Sequence, residues 1–329
     1  MAPSFYRKNI LSKAWALAWY NKGLWFFGLF AALLAIGEEY DVLIRNGDIL
    51  ESIPRRLENF RIAAANDIFS GFTSSLSNFI STNIPGTLYI LVTWIIAILA
   101  LAWLVIVAQG ALIEGAKRRE EGKPLNVIEG FDVGMANFWP IFLVNVIAKV
   151  VVYGLLILVG LPAVLIYMNT ASVSAALVLM LWSFLILFPV MVIVSFITKF
   201  ANAYIVIKKY PVKQAITSAW NLFTRNILVT LELAALLVLI KTIVVYMAVS
   251  TLINALGFPQ FSTGEYIFFI VILGFIYSWL TTFQFGSWTY LFFELEGGTA
   301  SSKLRRIIHY VLDVRESPAK PAPARTVKR

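Results

Sequence analysis

The sequence predicts an all-α membrane protein that crosses the bilayer about six times, arranged as three related helical hairpins. Of its 329 residues, 60% are hydrophobic and 14% are charged, whereas soluble domains average about 45–50% and about 25%. The apolar residues are concentrated in runs of roughly 20, the length that crosses a hydrocarbon core. The basic residues cluster in the connections beside those runs, which is typical of membrane topology.

Six apolar segments are the predicted spans. They lie at about 23–37, 87–108, 141–168, 175–198, 227–252 and 266–293. The first segment is short for a full crossing, so we expect it to extend back through Trp19 and Tyr20 or to thin the bilayer locally. The spans and their connections are expected to form one membrane domain over residues 1–316.

The positions of Lys and Arg predict the orientation of the spans. The segments 1–22, 109–138, 199–226 and 294–329 contain four, four, five and eight basic residues, and alternate with connections on the other side that contain only four, all within 38–86. Because basic residues are retained on the cytoplasmic side, both termini are expected to face the cytoplasm. The predicted location is a bacterial plasma (inner) membrane.

An aromatic residue followed six positions later by asparagine occurs three times, each time just before an odd-numbered span. The copies are Trp15 and Asn21, Phe131 and Asn137, and Trp220 and Asn226. Six positions on a helix are about 120° apart, so the aromatic ring can lie in the membrane interface while the asparagine ends one helix or caps the next. The motif therefore predicts a cytoplasmic amphipathic helix before each hairpin, with a structural role.

Two regions are expected to lie outside the spans. Segment 38–86 has the apolar spacing of two amphipathic helices, which would cover the helix ends on the outer side or form a lid for a substrate or partner. A further short amphipathic helix is predicted around His309, and residues 317–329 read as a disordered basic tail attracted to anionic lipid.

Three ionisable residues within the spans, Lys149, Glu232 and Lys241, are candidate functional residues, because a charge at membrane depth costs about 2.5–3.5 kcal/mol. Lys149 and Glu232 could pair to bind a polar substrate or to carry a proton. Alternatively, all three side chains could reach the membrane surface along their apolar stems. Asn145 and Gln284 are expected to form hydrogen bonds between helices.

The residue inventory argues against most enzymatic chemistry. The chain has no cysteine and a single histidine, His309, so we predict no catalytic residues, no metal site and no cofactor. The net charge of +9 is distributed beside the spans, which favours anionic headgroups on the cytoplasmic side over nucleic acid as the partner. A membrane-protein partner or a second copy of the chain is the further candidate.

Two motifs carry a resemblance to a known group. They are the run Ala219-Trp220-Asn221-Leu222-Phe223, continued to Asn226, and the exit from the last span at 290–297. On these motifs the chain resembles a broad group of bacterial six-span proteins that includes the membrane domain of glycerophosphoryl diester phosphodiesterases. Glu296 stands where the look-alikes carry arginine. The resemblance implies a membrane part only, since the phosphodiesterase itself is a separate domain with no counterpart here.

These observations predict a non-enzymatic membrane component that is lipid-associated or acts as a scaffold or accessory protein. The alternative is a transporter or permease for a small solute or lipid, with a polar site between helical repeats.

Overall fold

A computed structural model describes residues 5–35, 84–169, 173–256 and 263–298, and all the regular structure in these ranges is α-helical. The helices are α1 (Phe5–Tyr20), α2 (Gly23–Ala35), α3 (Ile84–Glu120), α4 (Val127–Ala136), α5 (Phe138–Asn169), α6 (Val173–Lys208), α7 (Val212–Arg225), α8 (Ile227–Leu256) and α9 (Thr263–Glu296). The amphipathic helices predicted within 38–86 and around His309, and the tail 317–329, lie outside the described residues.

Five of these helices are long and apolar enough to cross a membrane. Their spanning parts are Leu88–Glu120, Phe138–Gly160, Leu181–Lys208, Ile227–Leu252 and Ile267–Glu296. The chain is therefore a multi-pass helical membrane protein. Helix α2 corresponds to the first predicted span and is shorter, with 13 residues and a length of about 20 Å.

Two helices continue well beyond the predicted ends of their spans. Helix α3 extends from the predicted end at 108 to Glu120, and α6 extends from 198 to Lys208. At the end of α3, Glu114 lies 3.4 Å from Lys117 and 3.4 Å from Arg118, in pairs spaced three and four residues apart. Such pairs support a helix, so the charged composition marks a helix leaving the apolar layer and not a loop.

The asparagine of each motif lies at a break between two helices: Asn21 between α1 and α2, Asn137 between α4 and α5, and Asn226 between α7 and α8. The Asn137 side chain donates to the Val133 carbonyl oxygen at 2.7 Å, and the Asn226 side chain donates to that of Leu222 at 3.0 Å. The carbonyl oxygen of each asparagine accepts an N–H from the first turn of the next helix at 2.9–3.2 Å. Each asparagine therefore ends one helix where the next begins.

The residue before each motif aromatic is small and buried. Ala14 and Ala219 are both fully buried, and Gly130 is so close to α2 that a Cβ atom on it would lie 2.7 Å from the Phe27 ring. By contrast, Trp15 and Trp220 are 51% and 48% exposed. The three short helices α1, α4 and α7 thus turn a small residue toward the bundle, and in α1 and α7 a tryptophan points outward.

The short helices pack against the C-terminal parts of three spanning helices: α1 against α9, α4 against α3, and α7 against α6. Helices α3, α6 and α9 also contact one another. We call this side of the bundle the basic end. It is held together by ion pairs between helices, namely Lys13 with Glu120 at 2.5 Å, Arg118 with Glu129, and Lys208 with Glu296 at 3.6 Å.

Small residues bring α2 and α9 close together at a seam between the two helices. A Cβ atom on Gly28 would lie 2.3 Å from the Ser278 carbonyl oxygen. Across the same seam, the Ser278 hydroxyl donates to the Trp25 carbonyl oxygen, and the Thr282 hydroxyl donates to the Leu24 carbonyl oxygen at 3.4 Å. Small residues and hydroxyl groups are how membrane helices pack closely.

Candidate functional site

A cavity of about 80 Å³ lies among α3, α5, α6 and α9, with α2 at one side. We call it the polar cavity, because more than half of the residues that line it are polar: Gln109, Asn145, Lys149, Ser195, Thr198, Lys199, Asn202, Gln284 and Thr289. The lining includes two lysines and, among the described residues, no carboxylate.

Three amide side chains join three helices at this cavity. The Gln109 side-chain oxygen accepts hydrogen bonds from the amide nitrogens of Asn145 at 3.2 Å and Asn202 at 3.1 Å. Gln109 and Asn202 are buried, at 3% and 4% exposure. Buried amides need partners because unpaired polar groups are costly in an apolar medium. The Gln109 oxygen thus fixes the relative positions of α3, α5 and α6.

Two buried polar atoms at the cavity have no hydrogen-bond partner within the described part of the chain. They are the side-chain oxygen of Asn202 and the indole nitrogen of Trp288. The two residues are 4% and 6% exposed. The oxygen is an acceptor and the nitrogen a donor. Native proteins seldom leave such atoms unsatisfied, and both atoms belong to residues that line the cavity.

The two lysines of the lining sit deep along their helices. Lys149 is about 17 Å from the start of α5, and Lys199 is about 14 Å from the end of α6. The Lys199 ammonium donates to the Ser195 hydroxyl at 2.9 Å and lies 5.4 Å from the centre of the Trp288 ring. The Lys149 ammonium lies 5.9 Å from the Tyr153 ring centre. Contacts with aromatic faces stabilise cations. Trp288 belongs to the cavity lining, whereas Tyr153 lies outside it and is 57% exposed.

A second cavity, of about 270 Å³, lies among α6, α8 and α9. We call it the apolar cavity. Its lining consists of Phe188, Val192, Phe196, Leu231, Ala234, Ala235, Leu237, Val238, Lys241, Gln284 and Trp288. Gln284 and Trp288 line both cavities, so the polar and apolar spaces share a wall.

The structure places the predicted site residues in three different surroundings. Asn145, Lys149 and Gln284 come together at the polar cavity, and Lys241 lines the apolar cavity with Gln284. Glu232 is half-buried on α8 and belongs to neither lining. The pairing of Lys149 with Glu232 therefore stays a prediction. The six motif residues lie outside both linings.

Six polar residues of the lining were not predicted from the sequence: Gln109, Ser195, Thr198, Lys199, Asn202 and Thr289. Gln109, Lys199 and Asn202 fell just beyond the predicted span ends at 108 and 198 and were assigned to connections. The apolar runs that resume after them, at 111–113 and 203–207, were the available signal that each helix continues. A polar residue between two apolar stretches of one helix faces either a neighbouring helix or a cavity.

Within the described residues, no group of three or more His, Cys, Asp or Glu side chains comes together as a metal site would require. Comparisons with protein-family models, curated proteins and solved structures gave no match. The class of the protein, a multi-pass helical membrane protein, therefore rests on its own helices. Its resemblance to the bacterial six-span group stays a prediction.

Proposed function

We propose that this protein is a non-enzymatic, lipid-associated membrane protein that binds an anionic group in its polar cavity. The observation that supports this best is the presence of Lys149 and Lys199 in one cavity lining, in which the described residues include no carboxylate. The expected ligand group is a phosphate or a carboxylate.

The physical argument is electrostatic. Moving two ammonium groups from water into an apolar surrounding costs free energy, and the two positive charges repel each other. An anion between them would interact favourably with both, and a low-dielectric surrounding strengthens that attraction. The Trp288 indole N–H, which has no acceptor in the described part of the chain, supplies a further donor for an anionic oxygen.

We also propose that the basic end of the bundle faces the cytoplasm. We take α2 as the first of six spans and each of α1, α4 and α7 as the lead-in to one of three related hairpins. The asparagine junctions and the common position of the short helices at the basic end support this arrangement. With both termini in the cytoplasm of a bacterium, the basic end would face the cytoplasmic leaflet, whose anionic headgroups are attracted to Lys and Arg.

A second candidate function, transport of the same anion, is supported by the composition of the polar cavity. Its lining comes from α2 and α3, from α5 and α6, and from α9, so all three proposed hairpins contribute. Transporters commonly bind their substrates where repeats meet. Exchange of labelled phosphate or phosphate ester across proteoliposome membranes would support transport, whereas binding without exchange would favour the first proposal.

The proposed function predicts that removing both cavity lysines abolishes anion binding. In the Lys149→Met, Lys199→Met double variant the charges are lost but the side-chain length is kept. We expect its affinity for 1-palmitoyl lysophosphatidic acid to fall at least tenfold relative to the parent protein, which is about 1.4 kcal/mol or more. The measurement is isothermal titration of the detergent-solubilised protein, with inorganic phosphate as a second probe.

The matched control removes the same charge from exposed positions. Lys123 and Lys213 are both exposed at the basic end, so the Lys123→Met, Lys213→Met double variant has the same net charge as the cavity variant. We expect this control to bind within about twofold of the parent. Equal binding by both double variants, or no binding of either probe by the parent protein, would overturn the proposed function.

A further inference from the structure

We infer that the anion in the polar cavity is the headgroup of an acyl lipid, that its chain occupies the apolar cavity, and that the lipid enters from the bilayer between α6 and α8. This inference rests on the proposed function, because it assigns a source to the anion bound there.

The first step is that the two cavities are adjacent, since they share a wall. Trp288 belongs to both linings. Its ring lies 5.4 Å from the Lys199 ammonium, a residue of the polar cavity, and 5.3 Å from the ring of Phe196, a residue of the apolar cavity. A headgroup beside Lys199 would therefore be one tryptophan ring away from a space lined by hydrocarbon.

The second step is the shape and direction of the apolar cavity. Its lining extends about 15 Å along α8, from Leu231 to Lys241, and about 12 Å along α6, from Phe188 to Phe196. Since α8 begins at the basic end, the cavity extends from there toward the bilayer centre. A lipid of the leaflet at the basic end has the same direction, with its headgroup near the surface and its chain inward.

The third step is the access route. Helices α6 and α8 both pack against α9, yet they leave between them the space that forms the apolar cavity. At its rim, Phe188 and Leu231 are 36% and 42% exposed. Neighbouring side chains on the same helices, Leu185 and Leu239, are also exposed and apolar. The opening is therefore lined by exposed apolar side chains, which suits the entry of an acyl chain.

The lining of the apolar cavity is mainly hydrocarbon, as the surroundings of an acyl chain should be. Lys241 contributes a long apolar stem, and Val192, Ala234 and Val238 add only hydrocarbon. At the polar end, the side-chain oxygen of Asn202 accepts no hydrogen bond within the described residues. A hydroxyl group on the ligand would satisfy it. A lipid headgroup that carries a hydroxyl beside its anionic oxygens would supply such a partner.

The inference is tested by filling the apolar cavity without touching the lysines. Ala234 lines only the apolar cavity, and Ala234→Phe would occupy space there. We expect this variant to bind 1-palmitoyl lysophosphatidic acid at least tenfold more weakly than the parent, while glycerol 3-phosphate, which lacks the chain, binds within about twofold of the parent value. The control Ala97→Phe makes the same change at an exposed position of α3 and should leave both affinities unchanged.

The outcomes separate this inference from the proposed function. Unchanged binding of the palmitoyl lipid by Ala234→Phe would overturn the chain site, while loss of binding in the Lys149 and Lys199 double variant would still support the anion site. Equal affinity of the parent for glycerol 3-phosphate and the palmitoyl lipid would show that a free anion is sufficient, and would also overturn the inference.

A second measurement applies to the unmodified protein, in case Ala234→Phe does not fold. A palmitoyl lysophosphatidic acid with a photoreactive group midway along its chain is bound in detergent, crosslinked, and located by peptide mass spectrometry. We expect labels between Phe188 and Phe196 of α6 and between Leu231 and Lys241 of α8. Labels confined to other lipid-exposed helices, such as the outer face of α3, would overturn the inference.

Discussion

The α2–α9 seam and the space between α6 and α8 that forms the apolar cavity, which we call the gap, are packed in opposite ways. At the seam, Gly28 lies against the backbone of α9 and the hydroxyls of Ser278 and Thr282 bond to α2. At the gap, Phe188 and Leu231 face a cavity of about 270 Å³. Small residues remove space between helices, whereas bulky apolar residues line space that is kept.

This difference indicates which part of the bundle is structural and which part is available to a ligand. The seam joins α9 to α2, and α2 also packs against α3, so it builds one rigid wall of the polar cavity. The opposite wall is formed by α5 and α6, and α6 borders the gap. One wall of the polar cavity is therefore closely packed, and the opposite wall borders open space. This arrangement suits a site that a lipid enters from the side.

The largest loss of stability is expected from a substitution that separates α2 and α9 at the seam. Leucine at position 28 would place its Cβ atom 2.3 Å from the Ser278 carbonyl oxygen, so the two helices would have to separate. We expect Gly28→Leu to lower the free energy of unfolding by about 3 kcal/mol. Reversible unfolding in detergent measures this loss.

Gly154 provides the matched control, because a Cβ atom there would meet nothing within 4 Å. Gly154→Leu should leave stability unchanged or raise it slightly, as leucine favours the helix by roughly 0.5–1 kcal/mol over glycine. If the two leucine variants have the same stability, the close packing assigned to the seam is wrong.

A smaller effect is expected at the start of α8, the helix that borders the gap. Asn226 ends α7 with its side chain bonded to the Leu222 carbonyl oxygen at 3.0 Å. Asn226→Ala would remove this hydrogen bond and is expected to cost about 1 kcal/mol. Asn221→Ala, at an exposed position of α7, is the control and should change the free energy of unfolding by less than about 0.5 kcal/mol. Equal losses of unfolding free energy in the two variants would contradict the stabilising role assigned to Asn226 at the junction of α7 and α8.

Much of the helical architecture could be predicted from the sequence, because hydropathy and helix breaks are local properties. Five predicted spans match long apolar helices, and the motif asparagines lie at three helix junctions. The first predicted span was also recognised as unusually short. Its counterpart α2 has 13 residues, although residues 36 and 37 of that span lie outside the described part.

The site could be predicted only in part, because it depends on contacts between distant segments. Gln109 bonds to Asn145, 36 residues away, and to Asn202, 93 residues away, and no spacing rule relates such positions. Close packing was also missed: Gly130 and Gly134, four residues apart on α4, both lie against neighbouring helices, whereas Gly154 and Gly160 meet nothing. Whether a glycine or an amide is buried depends on which helix lies beside it.

The central claim, that Lys149 and Lys199 hold an anionic group inside the membrane, is tested most directly by an experimental density map. The protein would be reconstituted in nanodiscs that contain lysophosphatidic acid and compared with the Lys149→Met, Lys199→Met variant. We expect density for a phosphate-sized group within hydrogen-bonding distance of both ammonium groups in the parent, and its loss in the variant. A map in which this position holds only water in the parent, or the same density in both proteins, would contradict the account.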